Sequence, residues 1–326
     1  MITIKEVAKE ANVSVTTVSR VLNNRGYISE ETKEKVYSAM KRINYQPNEV
    51  ARSLSKQSSN TIGVIVPHIS HPYFAELISN LESQAYQNGC KIFLFNSKEK
   101  NEKLIEYIEM CASSRVVGII LCSGNVQMED VENMGLPIVT LERFAENGLA
   151  SVECDNYSGG GLAAEHLISK GCKNLMYIGG VSQNEMPADV RATGFIDKCN
   201  EHLVSHIEAS TNMVQYNEMD YRSEIEEILM AHPEVDGIFA SSDVIAAETI
   251  QVCAKIGKKI PEDIKLVGFD DVLLAKLTSP RITTIHQPIR EMASLAIELL
   301  MKNKKNQVIP NRSILPVTLV ERESTM

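Results

Sequence analysis

The sequence predicts an α/β protein in which a small all-α unit is followed by a two-lobed core of doubly wound parallel sheets. Three observations predict it. Apolar residues recur at helical spacing from Ile4 to Ile43. Short, nearly continuous apolar runs then alternate with amphipathic segments, the pattern of parallel strands covered by helices. That alternation continues too far along the 326 residues for one sheet, which implies two lobes.

Composition sets the class and removes several alternatives. Apolar residues at 44% and charged residues at 23% describe a globular chain. Its seven cysteines, Cys90, Cys111, Cys122, Cys154, Cys172, Cys199 and Cys253, are odd in number and lack C-x-x-C spacing. They argue against a zinc site or a disulfide framework, and for a reducing, cytoplasmic setting. The opening "MITIKEVAKEANV" has no apolar leader stretch, and no later run is long and apolar enough to span a bilayer, so neither export nor a membrane is expected. The net charge of −9 is unevenly placed: residues 1 to 58 hold ten basic and six acidic residues, a balance of +4 that leaves −13 for the remainder. One end can approach phosphates while the body is repelled by them.

Three short helices account for the first unit. Ile4, Val7, Ala8 and Ala11 mark the first, Val18, Val21 and Leu22 the second, and Val36, Met40 and Ile43 the third. The break falls at Asn12-Val13, where asparagine tolerates a left-handed backbone. Ser14 caps the second helix and Ser29 the third, with Glu30 and Glu31 in the dipole-favoured first turn. Two helices joined so tightly form a helix-turn-helix, whose second helix lies in the major groove of DNA. Val15 suits a thymine methyl, Thr16 and Thr17 offer hydroxyl or methyl, and Arg20 can pair with guanine O6 and N7. Ser14, Ser19 and Asn23 suit phosphate contacts, which fix register without reading sequence. A helical hairpin with a polar solvent face is the alternative, and the local positive charge opposes it.

A linker follows, over residues 48–60, between a DNA-binding domain at 1–47 and a core at 61–326. Pro47 ends the third helix, Asn48 can cap a new one, and "EVARSLS" is helical for about two turns. A helix that short falls below the ~12–15 residues needed for marginal stability in water, so it orders only when held.

In the core, "TIGVIVP", "KIFLFNS", "GIILCS", "IVTLE", "NLMYIGG", "GIFASSD" and "LVGFD" read as strands, with "PYFAELISNLESQAYQNG" and "GGGLAAEHLISKG" among the helices. The first lobe is expected near 61–155 with part of 286–326, and the second near 156–285. Ligands in such folds sit outside the carboxyl ends of strands. Reading those ends selects Tyr73, Phe74, Glu142, Arg143, Arg191, Phe239, Ser242, Asp243, Asp270 and Gln287. Aromatic faces with arginine and carboxylates suit a neutral polyol. A bland account stands beside each: Phe74 and Phe239 as core, Glu142 and Arg143 paired with each other, Asp243 or Asp271 as helix caps. His68 and His71 lack a third metal ligand. The glycines of "SGGGLAAEHL" lack both the lysine of a phosphate loop and dinucleotide spacing, so close packing and a capped helix explain them. No G-x-S-x-G or H-E-x-x-H occurs, and no enzyme, metal or cofactor is expected.

"TIKEVAKEANVSVTTVSRVLNN", "KVYSAMKRINYQPNEVARSL", "PEDIKLVGFDD" and "ITTIHQP" together resemble the lactose/galactose repressor family, in order along essentially the whole chain, and within it the ribose/sucrose repressor branch. The resemblance implies a homodimeric repressor of carbohydrate genes that binds a pseudo-palindromic, double-stranded operator and responds to a sugar or sugar phosphate. It implies hinge helices from "NEVARSLS" that order together in the minor groove, with Leu54 as the wedge and Ala51 and Arg52 on the minor-groove side, a use of apolar side chains that unstacks and bends DNA. The core it implies is two-lobed, like the sugar-binding proteins of the periplasm, with Arg191 and Asp270 gripping the effector. Arg143 stands where the purine-sensing corepressor branch has a stacking aromatic, which favours a sugar. "CSGNV" at 122–126 is similar to the catabolite-control branch, which answers a phosphoprotein partner. A sugar-modifying enzyme or transport protein sharing the core is opposed by the N-terminal unit. No heptads follow "PVTLVEREST" to build a tetramer.

Overall fold

Caps and apolar spacing build the first helices of the computed structural model, which describes residues 2–23, 26–46, 59–123, 135–143, 149–181, 186–305 and 307–326. The chain divides into two units, Met1–Ser59 and Asn60–Met326. In the first, helices α1 (Ile4–Glu10), α2 (Val15–Asn23) and α3 (Glu30–Arg42) enclose Val7, Ala8, Ala11, Val18, Val21, Val36 and Ala39. These side chains are small, so the helices approach closely. Asn12 adopts a φ of 51° at the turn between α1 and α2, the left-handed backbone expected there. Ser14 Oγ accepts the Thr17 N–H at 3.0 Å and Ser29 Oγ accepts that of Thr32 at 3.4 Å, so both expected caps are in place.

The second unit holds two six-stranded sheets. The first has the order β2-β1-β3-β4-β5-β11, formed by β1 (Thr61–Val66), β2 (Lys91–Asn96), β3 (Ile119–Leu121), β4 (Ile138–Leu141), β5 (Ala150–Cys154) and β11 (Arg312–Leu315). The second has the order β7-β6-β8-β9-β10-β12, from β6 (Asn174–Val181), β7 (Ser205–Thr211), β8 (Gly237–Ala240), β9 (Lys265–Asp270), β10 (Thr283–His286) and β12 (Thr318–Val320). Among the described residues every pairing is parallel except β10 with β12. Helices α4 (Pro72–Gln87), α5 (Asn101–Ser113), α6 (Asn156–Ser169), α7 (Val190–Glu201), α8 (Met213–Glu218), α9 (Arg222–Ala231), α10 (Asp243–Lys255), α11 (Leu273–Leu277) and α12 (Ile289–Asn303) connect them. The chain passes between lobes after β5, after β10 and after β11, because α12 returns to pack on α4, β4 and β5 of the first lobe. In both sheets the strand order reverses beside the first strand, which places a crevice at the carboxyl ends of β1 and β3, and of β6 and β8.

The seven apolar runs are β1, β2, β3, β4, β6, β8 and β9. β2 departs from expectation: it is an edge strand with Phe93 and Leu94 exposed, whereas an unbroken apolar run suggested cover on both faces. β5, β7, β10, β11 and β12 were not anticipated. β7, "SHIEAST", is a polar edge strand, and β5 carries the buried Glu153, which binds Arg312 at 2.8 Å.

The glycine run opens α6, whose first turn is capped by Asp155 accepting the Ser158 N–H at 3.0 Å. Its close packing is with α7: a Cβ on Gly160 would lie 2.0 Å from the Arg191 carbonyl oxygen, and one on Gly194 would lie 2.0 Å from that of Tyr157. The two helices therefore touch backbone to backbone, which only glycine permits.

Candidate functional site

On the first unit, α2 exposes Val15, Thr16 and Arg20, with Thr17 half-buried and Ser14 exposed at its cap. Thr16 and Arg20 are four residues apart and share a face. Ser19 and Asn23 are turned to each other: the Asn23 amide donates to the Ser19 carbonyl at 2.9 Å and to its hydroxyl at 3.4 Å. Tyr27, which sequence reasoning passed over, is 98% exposed in the loop before α3, a position where an aromatic has no packing reason to be. Asn48, Ala51, Arg52 and Leu54 lie outside the described residues, as do residues 124–126 of "CSGNV".

In the second unit, the carboxyl ends of the two sheets face each other across a cavity. Tyr73, Phe74, Glu142, Arg143, Arg191, Ser242, Asp270 and Gln287 all line it. Phe239 and Asp243 do not. Phe239 is fully buried beneath the cavity in a tilted aromatic stack with Tyr177, Phe195 and Phe269, at centroid distances of 5.5 to 6.3 Å. Asp243 is also fully buried, accepting the Val272 N–H at 3.0 Å and the Thr284 hydroxyl at 2.6 Å, so it ties α10 to β10 and the end of β9. Both strand-end residues point into the second lobe, a direction that linear position does not reveal.

The lining also includes His71, Cys122, Tyr177, Met186, Asp189, Tyr216, Tyr221 and Ser241. His71 stood out in the sequence only as a histidine without the further ligands a metal site needs. Tyr177 sits inside a strand whose pattern is indistinguishable from core, and Tyr216 and Tyr221 come from the polar stretch around α8, so none of the three had a signal.

Arg191 organises the polar groups. Its Nε donates to Asn156 Oδ1 and its Nη1 to the Ser241 carbonyl, both at 2.7 Å; Nη2 faces Glu142 at 3.9 Å, and the guanidinium lies 3.6 Å from the centre of the Phe269 ring. Glu142 accepts the Cys154 N–H at 2.6 Å and the Asn156 amide at 3.0 Å, so it does not pair with Arg143. Arg143 instead binds Glu99 and reaches Met186 of the second lobe. His68 reaches across too, meeting Asn217 at 3.0 Å and the edge of Tyr216 at 5.1 Å. Asp270 accepts from the Gln287 amide at 2.6 Å. Both lining carboxylates at strand ends, Glu142 (φ 50°) and Asp270 (φ 113°), hold a backbone that costs about 1–3 kcal/mol in a residue with a Cβ, the kind of strain that gathers at binding sites.

Burial shifts the titration of these groups. It raises Glu142, against the charge of Arg191, and it raises Asp270 to about 7, again with Arg191 opposing. Burial pushes His71 down to about 4, helped by His68 and Arg191, so its ring is neutral at physiological pH while Nδ1 accepts the Tyr73 N–H at 3.3 Å. Among the described residues, four buried polar atoms on lining residues have no hydrogen-bond partner: Tyr73 Oη, Arg143 Nε, Tyr177 Oη and Gln287 Oε1. Such atoms are rare in folded proteins, and a polar ligand would satisfy them.

The Asp270 shift has a measurable sign. Its folded pKa exceeds the ~3.9 of an unfolded aspartate, so the folded chain retains a proton that the unfolded chain releases between about pH 4 and pH 7. Stability from this group is full below pH 4 and is lost as pH rises through 7, at up to about 1.4 kcal/mol per unit. Asp270→Asn, which still accepts from Gln287, removes that component: its melting temperature falls less than that of the wild type between pH 5 and pH 8. Parallel pH profiles for the two proteins would refute the assignment.

Comparison with known proteins adds to this geometry. Residues 3–48 match the family described as bacterial regulatory proteins, lacI family, and residues 164–325 match a periplasmic binding protein-like domain. The ribose operon repressor of Halalkalibacterium halodurans is 38% identical over 327 residues, covering 100% of this chain and 97% of that protein. The sucrose operon repressor of Streptococcus mutans is 36% identical over 319 residues, 98% of each chain. Among solved structures, a periplasmic binding protein/LacI transcriptional regulator from Alkaliphilus metalliredigens, complexed with D-xylulofuranose, is 31% identical with a TM-score of 0.75, over 82% of this chain and 99% of that one. The fold is also that of the lac repressor dimer bound to operator, with a TM-score of 0.87 at 24% identity over 100% of this chain and 99% of that one.

Proposed function

The chain belongs to the lacI family of bacterial regulatory proteins, and from that premise we propose that it represses carbohydrate-utilisation genes, its grip on operator DNA controlled by a sugar or sugar phosphate bound between the core lobes. The observation that carries the effector half is the cavity itself, where buried, unpartnered Tyr73, Arg143 and Gln287 atoms meet Arg191, Glu142 and Asp270 at the topological switch points of both sheets. Relatives named for ribose and sucrose operons, and a similar regulator solved with a ketopentose, support a carbohydrate there.

The division of labour follows the chain. Residues 1–47 read DNA, 48–60 form the hinge, and 61–326 bind effector and dimerise. Val15, Thr16, Thr17 and Arg20 read bases, Ser14, Ser19 and Asn23 meet phosphates, and Asn48, Ala51, Arg52 and Leu54 serve the minor groove. Arg191, Asp270, Glu142, Arg143, Ser242, Gln287, Tyr73 and Phe74 hold the effector. The protein acts in the cytoplasm as a homodimer on paired half-sites, without catalysing a reaction. Lobe closure on the ligand changes the spacing of the paired hinges, and a two-turn helix held only by DNA and its twin then melts, an order-disorder switch biased by differential ligand affinity.

The test is an operator titration. Arg20→Ala loses about 1–3 kcal/mol and relaxes preference at a single base pair. Leu54→Ala loses affinity and DNA bend together. Wild-type binding that is insensitive to salt, or that does not distinguish operator from random duplex, would sink the proposal.

A further inference from the structure

A sugar and its phosphate ester make opposite demands on a site. A phosphate brings about −1.5 to −2 charges and three acceptor oxygens, and sites that take it supply unmatched arginine or lysine, or free N–H groups at a helix start. Resting on the reading just given, we infer that the cavity takes an uncharged monosaccharide and excludes both phosphorylated sugars and disaccharides.

Charge argues first. The arginines that line the cavity are both matched: Arg143 binds Glu99, their side chains only 7% and 11% exposed, and Arg191 faces Glu142 with Asp270 beside it. Asp189 adds another carboxylate to the lining. Counting Glu99 with the lining, carboxylates outnumber arginines, and among the described residues of the lining an arriving dianion finds no unmatched cation.

Helix ends argue second and independently. Three of the helices that begin at or beside the cavity, α4, α6 and α10, each have a first-turn N–H already taken by a protein acceptor. His71 takes that of Tyr73 in α4, Asp155 that of Ser158 in α6, and Ser242 that of Ile245 in α10, at 3.3, 3.0 and 3.3 Å. At the turn leading into α7 a carboxylate does the same, Asp189 accepting the Met186 N–H at 2.8 Å. At these four positions a cap takes an N–H that an anion would use, and two of the caps are negatively charged. What remains suits hydroxyls: carboxylate and amide oxygens to accept, Arg143 Nε and Tyr73 Oη to donate, and aromatic rings for a sugar's C–H face.

Size argues third. About 120 Å³ is open to the centres of water-sized groups. A cavity of roughly 150 Å³ takes one benzene-sized ring, so this space is on the scale of one sugar ring and not of two linked rings.

The experiment is calorimetric titration and thermal shift of the full-length protein with D-ribose, D-fructose and D-glucose, their 5- or 6-phosphates, and sucrose. At least one free monosaccharide is expected to bind saturably and at least a hundredfold more tightly than its phosphate and than sucrose. If charge is the cause, Glu99→Gln, which releases Arg143, raises affinity for the matching phosphate at least tenfold over wild type. A phosphate ester or sucrose that binds as tightly as the free sugar, no response to any of the three monosaccharides, or no gain in Glu99→Gln would overturn the inference. Salt-dependent operator binding, measured without ligand, stands or falls separately and reports on the regulator reading alone.

Discussion

Calorimetric titration of Arg191→Met will find sugar binding weakened by at least about a hundredfold. Arg191 is buried, and its charge is the one facing Glu142 and Asp270 while its fork reaches Asn156 and the Ser241 carbonyl. Removing one partner of a buried, hydrogen-bonded charge group costs about 3–5 kcal/mol, because the groups left behind are stranded. Methionine fills the volume over the Phe269 ring, so the loss falls on the polar arrangement more than on packing. Without the cation, burial acts on Asp270 and Glu142 unopposed by Arg191, their carboxyls move further up, and the ionised acceptors for a hydroxyl disappear.

Arg191→Lys separates charge from shape. A lysine keeps the positive charge but cannot donate to Asn156 and Ser241 at once through a planar fork. It is expected to lie between wild type and Arg191→Met, and both variants should bind operator in the absence of sugar as the wild type does. In a cell the Met variant would then repress without release. Sugar affinity within threefold of wild type in Arg191→Met would remove this residue from the site and the reading of the cavity with it.

How much of this was legible in the sequence depends on whether the signal was local. The Ser14 cap, the left-handed Asn12 and the three-helix spacing follow from neighbours within a few residues, and all appear where expected. The strand ends named the right side of the sheets, since Tyr73, Phe74, Glu142, Arg143, Arg191, Ser242, Asp270 and Gln287 share one cavity although they lie more than 200 residues apart in sequence. Direction was not legible. Phe239 and Asp243 flank the lining pair Ser241 and Ser242 on both sides, and only the path of the chain between β8 and α10 decides which side chains turn outward. The same holds for pairing: Glu142 and Arg143 are adjacent in sequence but bond to Asn156 and Glu99, because neighbouring side chains after a strand diverge. Strands β5, β7, β10, β11 and β12 escaped because their residues are polar or few, and their place is set by partners already in the sheet.

Gly160→Ala should destabilise the core by about 3 kcal/mol, a fall in melting temperature of roughly 6–12 °C for a unit of this size. The added carbon would sit 2.0 Å from the Arg191 carbonyl oxygen and 2.9 Å from the Phe195 amide nitrogen, both backbone atoms that no rotamer change can move aside. α7 must then shift away from α6, carrying Arg191 off Asn156, so sugar affinity falls along with stability. Gly161→Ala is the internal control. One residue along the same helix, its nearest neighbour is the Gly194 carbonyl oxygen at 3.7 Å, an ordinary contact. There alanine meets no obstacle, and replacing a helical glycine is expected to stabilise by about 0.5–1 kcal/mol. Opposite signs at adjacent positions cannot come from helix propensity, which acts equally at both. They require that the closeness of two backbones, and not the composition of the glycine run, sets where the arginine of the site stands. If both variants melt together, above or below the wild type, that placement has another cause.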